Sequence, residues 1–242
     1  MVYKIASLVL GPVLYLQGKA TRRSIPVLPE PDGAREGRIG NGRHLKILVL
    51  GDSAAAGVGA PSMQESLTGQ LVEQLSDSFS VEWCLVAKTG ATTASTLKRL
   101  KKHELGTFDV CVISLGVNDV TSGLSLKNWL IQQSMLREKL RADLRVKHII
   151  ICGLPPVHGF PSLPQPLRWW LGARATEFND HLQKQFLVES NVRFLSLRFT
   201  EDSGLMADDG FHPGPAIYRE WAIRVAELVK CSVNQSAGFD PQ

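Results

Sequence analysis

No run of about 20 apolar residues occurs in this 242-residue chain, so the sequence offers no obvious bilayer-spanning helix. Cysteine is scarce, with four residues. No C-x-x-C pair and no Cys/His spacing of a zinc site is present, which excludes the common redox and zinc-binding patterns. Cys84, Cys111 and Cys152 each fall in an apolar, strand-like run and read as core thiols, which suits a reducing compartment. The chain also lacks a G-x-S-x-G elbow, an H-E-x-x-H pair, a Walker A loop and a G-x-G-x-x-G turn. These absences argue against an α/β-hydrolase elbow, a zinc protease, and nucleotide or dinucleotide binding. A strong excess of one charge is missing too: 27 basic residues face 23 acidic ones. Internal repeats are absent.

The small positive surplus is concentrated at one end. Residues 1–46 hold eight basic and three acidic residues, a balance of +5, which leaves −1 for the remainder. A near-neutral body argues against nucleic acid as the ligand. The twelve-residue apolar-rich stretch Ile5–Leu16 has three readings. It has the length of a signal-peptide core. It also suits a helix lying in a membrane interface beside basic residues, or a helix packed on the domain. Residues 24–46, rich in Pro, Gly and charge, read as an irregular linker or wrapping arm. The expected division is an arm and linker over 1–44, a catalytic domain over 45–232 and a tail over 233–242. Peripheral membrane contact is expected through residues 1–23, and catalysis is expected to survive loss of residues 1–34. The expected location is cytoplasmic with membrane association, or exported if residues 1–20 are a signal peptide.

From residue 45 the pattern alternates. Five apolar runs read as buried strands: 45–52, 81–87, 108–116, 148–153 and 192–197. Between and after them, helical spacing is found over 62–77, 92–103, 125–144, 173–188 and 215–230. The prediction is a three-layer α/β/α sandwich around a flavodoxin-like, five-stranded parallel sheet. Ligands of such sheets bind beyond the carboxyl ends of the strands. Four polar pieces sit there: Gly51-Asp52-Ser53-Ala54, Thr89-Gly90-Ala91-Thr92, Gly116-Val117-Asn118-Asp119 and Asp209-Gly210-Phe211-His212-Pro213.

An Asp-x-x-His spacing in a tight turn puts both side chains on one side, so Asp209 can hold the His212 imidazole toward Ser53. Asp208 is the neighbouring alternative for the acid. A serine hydroxyl becomes a competent nucleophile only when a base takes its proton. Unpaired N–H groups at the Ser53 turn, the Gly90 N–H and the Asn118 amide can surround an oxyanion. A bulky Cβ at position 90 would hinder close backbone approach. Asp52 and Asp119 read as loop-bracing residues, and His158 as a surface histidine.

The four pieces, in this order, resemble the SGNH hydrolase family, also called GDSL lipases and esterases. The matching residues are Ser53, Gly90, Asn118 and His212, with Asp209 three residues before the histidine. Ala54 stands where that family usually has Leu or another larger residue. The resemblance implies a catalytic triad of Ser53, Asp209 and His212, an oxyanion hole of Ser53, Gly90 and Asn118, and no metal or organic cofactor. It implies cleavage of a small-molecule or lipid ester through an acyl-enzyme. Thioester or lysophospholipid hydrolysis and a non-catalytic lipid-binding module are the alternatives. Phe160, Leu163, Trp169 and Trp170, in and after the proline-rich loop 153–170, are candidate substrate contacts.

Overall fold

The structure, a computed structural model, describes residues 2–101, 105–186, 189–198 and 203–237. Residues 102–104 and 187–188, where two of the expected helices end, lie outside the described residues, as do 238–242 of the expected tail.

Six strands form one sheet: β1 (Glu36–Ile39), β2 (Arg43–Gly51), β3 (Phe79–Ala87), β4 (Val110–Ser114), β5 (His148–Cys152) and β6 (Val192–Leu195). Their spatial order is β1-β3-β2-β4-β5-β6, with β2 to β6 parallel. The five parallel strands have the doubly wound order, so the crossover direction reverses between β2 and β4. The strand β1 was not expected. Its four residues, EGRI, lack apolar alternation, and they pair antiparallel along the free edge of β3. The segment read as irregular linker therefore adds a strand, and Arg43 and His44 already belong to β2.

Strand periodicity sorts one sequence into two cores. On β2, Leu45, Ile47 and Val49 face one layer, while Leu48 and Leu50 face the other. On β5, Ile150 joins the first and Ile149 and Ile151 the second. The first layer holds α2 (Leu67–Ser76) and α7 (Pro215–Ala237), which runs into the segment expected as tail. The second holds α3 (Thr93–Leu100), α5 (Leu126–Leu144) and α6 (Leu167–Gln185). A short helix, α4 (Val117–Thr121), follows β4.

Helix starts follow local chemistry. The Ser66 hydroxyl caps α2 by accepting from Gly69 N, and Ser125 caps α5 by accepting from Asn128 N. Thr92 and Ser95 form a reciprocal capping box on α3. Helix α6 begins at Leu167, earlier than its spacing indicates, because Pro166 precedes it and Trp169 and Trp170 form its first turn.

The N-terminal stretch forms helix α1 (Val2–Ser24), which packs on α6. Leu14 is buried there, Gln17 bonds Gln165 and Leu167, and Ser7 accepts from the Trp170 indole. Among the described residues no helix is long and apolar enough to cross a membrane.

Candidate active site

Register brings three loops to one place. Gly51 lies beside Ala87 on one flank and Ser114 on the other, so β2, β3 and β4 end level. The residues after them, Ser53, Gly90 and Asn118, therefore emerge at the same edge, beside the topological reversal where such sheets bind ligands.

Ser53 sits in a series of tight turns rather than on a helix. The Asp52 carboxylate shapes the first turn by accepting from Ala54 N at 3.1 Å. The Tyr218 hydroxyl of α7 donates to Val58 O at 2.6 Å and anchors the far end of the loop. The opposite wall is a hairpin-like turn over 206–213, in which Met206 bridges Pro213 and Ala207 N donates to His212 O.

The two loops meet through a continuous hydrogen-bond chain. His212 Nε2 lies 2.9 Å from Ser53 Oγ, and His212 Nδ1 lies 2.5 Å from Asp209 Oδ2. Asp209 Oδ1 accepts from the backbone N–H of Phe211 and of His212, each at 2.9 Å. The Asp209 side chain is fully buried. Burial pushes its pKa up, yet the bonds from the His212 ring and the two N–H groups outweigh that and hold it below the usual carboxylate value. Asp208, the alternative acid, is exposed.

Ser53 N–H and Gly90 N–H donate to no protein acceptor among the described residues. The Asn118 amide donates to Ala91 O at 3.0 Å and reaches Asp52 Oδ2 at 3.4 Å. Gly90 is glycine for a different reason from the one expected. A Cβ there would meet nothing within 4 Å, but φ is +76°, a left-handed conformation that L side chains rarely adopt.

Asp52 is buried beside Asn118. Burial first, and the nearby Asp119 charge second, raise its pKa to about 7 against the bond from Ala54 N–H. Asp119 accepts from the N–H and hydroxyl of Thr93 and so ties α4 to the start of α3. Its pKa is raised by burial, with the Thr93 bonds opposing.

A cavity of about 60 Å³ opens beside Ser53 and His212. Its walls are mostly apolar and include Leu154, Phe160, Met206, Phe211, Ile217 and Trp221. Of the four candidate substrate contacts only Phe160 lines it. Leu163 is in the core, Trp169 is exposed, and Trp170 lies between Ser7 of α1 and the Arg174 guanidinium. Sequence reasoning missed Ile217 and Trp221 because helical spacing marks both as ordinary core positions. His158 is exposed on a short 3₁₀ turn outside this cavity. Among the described residues no three His, Cys, Asp or Glu side chains gather to hold a metal.

A residue missed entirely is Glu30. Its carboxylate accepts from Thr89 N at 2.7 Å and from the Thr89 hydroxyl at 2.6 Å, immediately before Gly90. Arg35 pairs with the other oxygen of Glu30 and donates to Ala87 O. Burial raises the Glu30 pKa, but the Thr89 bonds and Arg35 lower it further, to a net value below normal.

A doubly wound sheet with a serine, histidine and carboxylate joined at its carboxyl edge is an arrangement found in hydrolases. The profile of the GDSL-like lipase/acylhydrolase family matches residues 49–220, and the chain belongs to that family. No curated protein sequence matches it. Three solved structures show how widely the fold is shared. The lipase Lip_vut3 from a goat rumen metagenome is 22% identical, with 75% of this chain and 97% of that one covered, at a TM-score of 0.61. The esterase EstA from Pseudoalteromonas sp. is 21% identical, covering 78% and 98%, at a TM-score of 0.58. A lipase/acylhydrolase from Enterococcus faecalis is 19% identical, covering 77% and 95%, at a TM-score of 0.56.

Proposed function

We propose that the protein is a carboxylic ester hydrolase that works through an acyl-enzyme on Ser53. The observation that carries this reading is the Ser53–His212–Asp209 hydrogen-bond chain. His212 Nε2 takes the Ser53 proton as the oxygen attacks the ester carbonyl, while Asp209 holds Nδ1–H and stabilises the imidazolium. The tetrahedral oxyanion accepts from Ser53 N–H, Gly90 N–H and Asn118 Nδ2. The bond from Asn118 to Asp52, at 3.4 Å, is the longer and weaker of its two, so this hydrogen is the one free to be shared with the oxyanion. His212 then protonates the departing alcohol. In the second half-reaction it takes a proton from water, which attacks the acyl carbonyl, and then returns that proton to Ser53 Oγ as the acid leaves.

The mostly apolar cavity beside Ser53 suits an acyl group, and its small volume favours a short one. An aryl ester panel graded by acyl length, run with matched thioesters, tests this. Turnover is expected to peak at short acyl chains, and oxygen esters are expected to exceed thioesters. Ser53→Ala and His212→Ala are each expected to lower kcat by roughly 10⁴-fold with the fold intact. Asp209→Ala is expected to cost about 10³–10⁴-fold, whereas Asp208→Ala stays near wild type. A fluorophosphonate probe is expected to label Ser53 only. Retention of a tenth of wild-type turnover by either Ser53→Ala or His212→Ala refutes the mechanism.

A further inference from the structure

Helix α1 is amphipathic in the wrong sense for a helix that merely packs on its own domain. The face turned to α6 carries Ser7, Leu10, Leu14, Gln17 and Thr21, of which two are apolar and two bond to the body through their side chains. The face turned to solvent carries Ile5, Leu8, Val9, Val13, Tyr15 and Leu16. Leu8 is 86% exposed and Val9 75%. At helical spacing these six share one continuous stripe, and exposed apolar stripes of this extent mark interaction surfaces.

The flanking charge indicates what the stripe meets. Helix α1 holds Lys4, Lys19, Arg22 and Arg23 and no acidic residue, while residues 47–242 carry a net −1. Lys19 falls on the apolar stripe itself, one turn beyond Tyr15 and Leu16, and Lys19 and Arg23 are exposed. An apolar face bordered by long basic side chains matches the acyl boundary and anionic headgroups of a lipid leaflet. The helix is too short in apolar residues to span one.

We propose that the outward face of α1 docks the protein on an anionic membrane surface, lying in the interface rather than crossing it. Its attachments connect the docked helix to the cavity. Gln17 bonds Gln165 and Leu167 at the end of the loop that carries Phe160. The Arg22 guanidinium donates to Thr121 O on α4, the helix that carries Asn118. Docking therefore holds the cavity-bearing loop and α4 close to the lipid. This surface is independent of the chemistry at Ser53.

The test uses the full chain in co-sedimentation with vesicles of phosphatidylglycerol mixed with phosphatidylcholine, and with phosphatidylcholine alone. Binding to the anionic vesicles is expected at low salt and is expected to fall as salt is added. Leu8→Asp with Leu16→Asp is expected to weaken partitioning by roughly tenfold per substitution. Lys19→Glu with Arg23→Glu is expected to weaken it by roughly tenfold. Because these side chains are exposed, thermal unfolding and hydrolysis of a soluble ester are expected to stay at wild-type levels. Protein that remains in the supernatant with anionic vesicles at low salt overturns the proposal. Equal binding to both vesicle types also overturns it. So does light scattering that shows a dimer dissolved by Leu8→Asp in a protein that ignores vesicles, which would assign the stripe to a second copy of the chain.

Discussion

Gly59 and Pro213 touch at the seam between the two loops that carry Ser53 and His212. A Cβ on Gly59 would stand 2.4 Å from the Pro213 carbonyl oxygen and 3.3 Å from His212 Cβ, and Gly59 has φ +94°. Only a residue without a side chain lets the Ser53 loop come this near the His212 turn. Gly59→Ala therefore carries two penalties, backbone strain of about 1–2 kcal/mol and a clash with backbone that has nowhere to retreat. It is expected to lower the unfolding free energy and to cut kcat more than KM, because relief of the clash separates His212 from Ser53. Chemical denaturation with steady-state kinetics on one preparation checks both effects.

Asn118 is expected to act on charge that develops during the reaction. Asn118→Ala should lower kcat by about 10²–10³-fold with KM nearly unchanged, as loss of one oxyanion donor does. A defect confined to KM would instead make the amide a ground-state contact.

Asp52 provides a pH signature. Its folded pKa of about 7 stands above the ordinary value of 3.8 because burial disfavours its charged form. Below about 3.8 the group is protonated in folded and unfolded chains alike and has no effect on the balance. As pH rises the unfolded chain releases the proton first, so this group's cost grows until about 7 and is constant above. Asp52→Asn removes that slope. The stability of wild type relative to the variant is expected to fall between about pH 4 and pH 7, as read by urea unfolding at a series of pH values. A difference that does not change with pH would contradict the burial argument.

Glu30 is expected to position Gly90. Glu30→Ala removes the acceptor for both Thr89 donors and should lower kcat by roughly tenfold, the scale of a misplaced oxyanion donor. Glu30→Gln keeps an oxygen for Thr89 and loses the pairing with Arg35, so its activity is expected to fall between those of wild type and the alanine variant. The same contacts argue against the expectation that catalysis survives loss of residues 1–34. Their deletion removes Glu30 and uncovers the site where Leu14 packs, so that truncation is expected to lose both stability and turnover.

These cases divide by how local the information is. Ser53, Gly90 and Asn118 were legible because each lies in a short polar piece soon after an apolar run, and the Asp209–His212 pair by its own three-residue spacing ahead of a proline. Alternation of strands with helices makes the strands parallel, and parallel strands end at one edge. The spacing of Asp209, three residues before His212, favoured it over Asp208, and the turn buries Asp209 against the imidazole while Asp208 faces solvent. Glu30 was invisible because it meets Thr89 across 59 positions with no periodic pattern to announce the contact. Strand β1 was missed because an edge strand with polar residues takes its stability from the hydrogen bonds of β3 and leaves little apolar pattern in its own sequence.

The amino-acid sequence by itself determined the five buried strands, their parallel order of use and the residue types that meet at their ends, because burial on both faces writes itself into unbroken apolar runs. Tertiary structure alone decided which face of α1 turns outward, which tryptophans leave the cavity for the surface and the α1 contact, and how Glu30 reaches the loop after β3. Those outcomes depend on what stands opposite each side chain in space. A single stretch of sequence does not encode its neighbour across the fold.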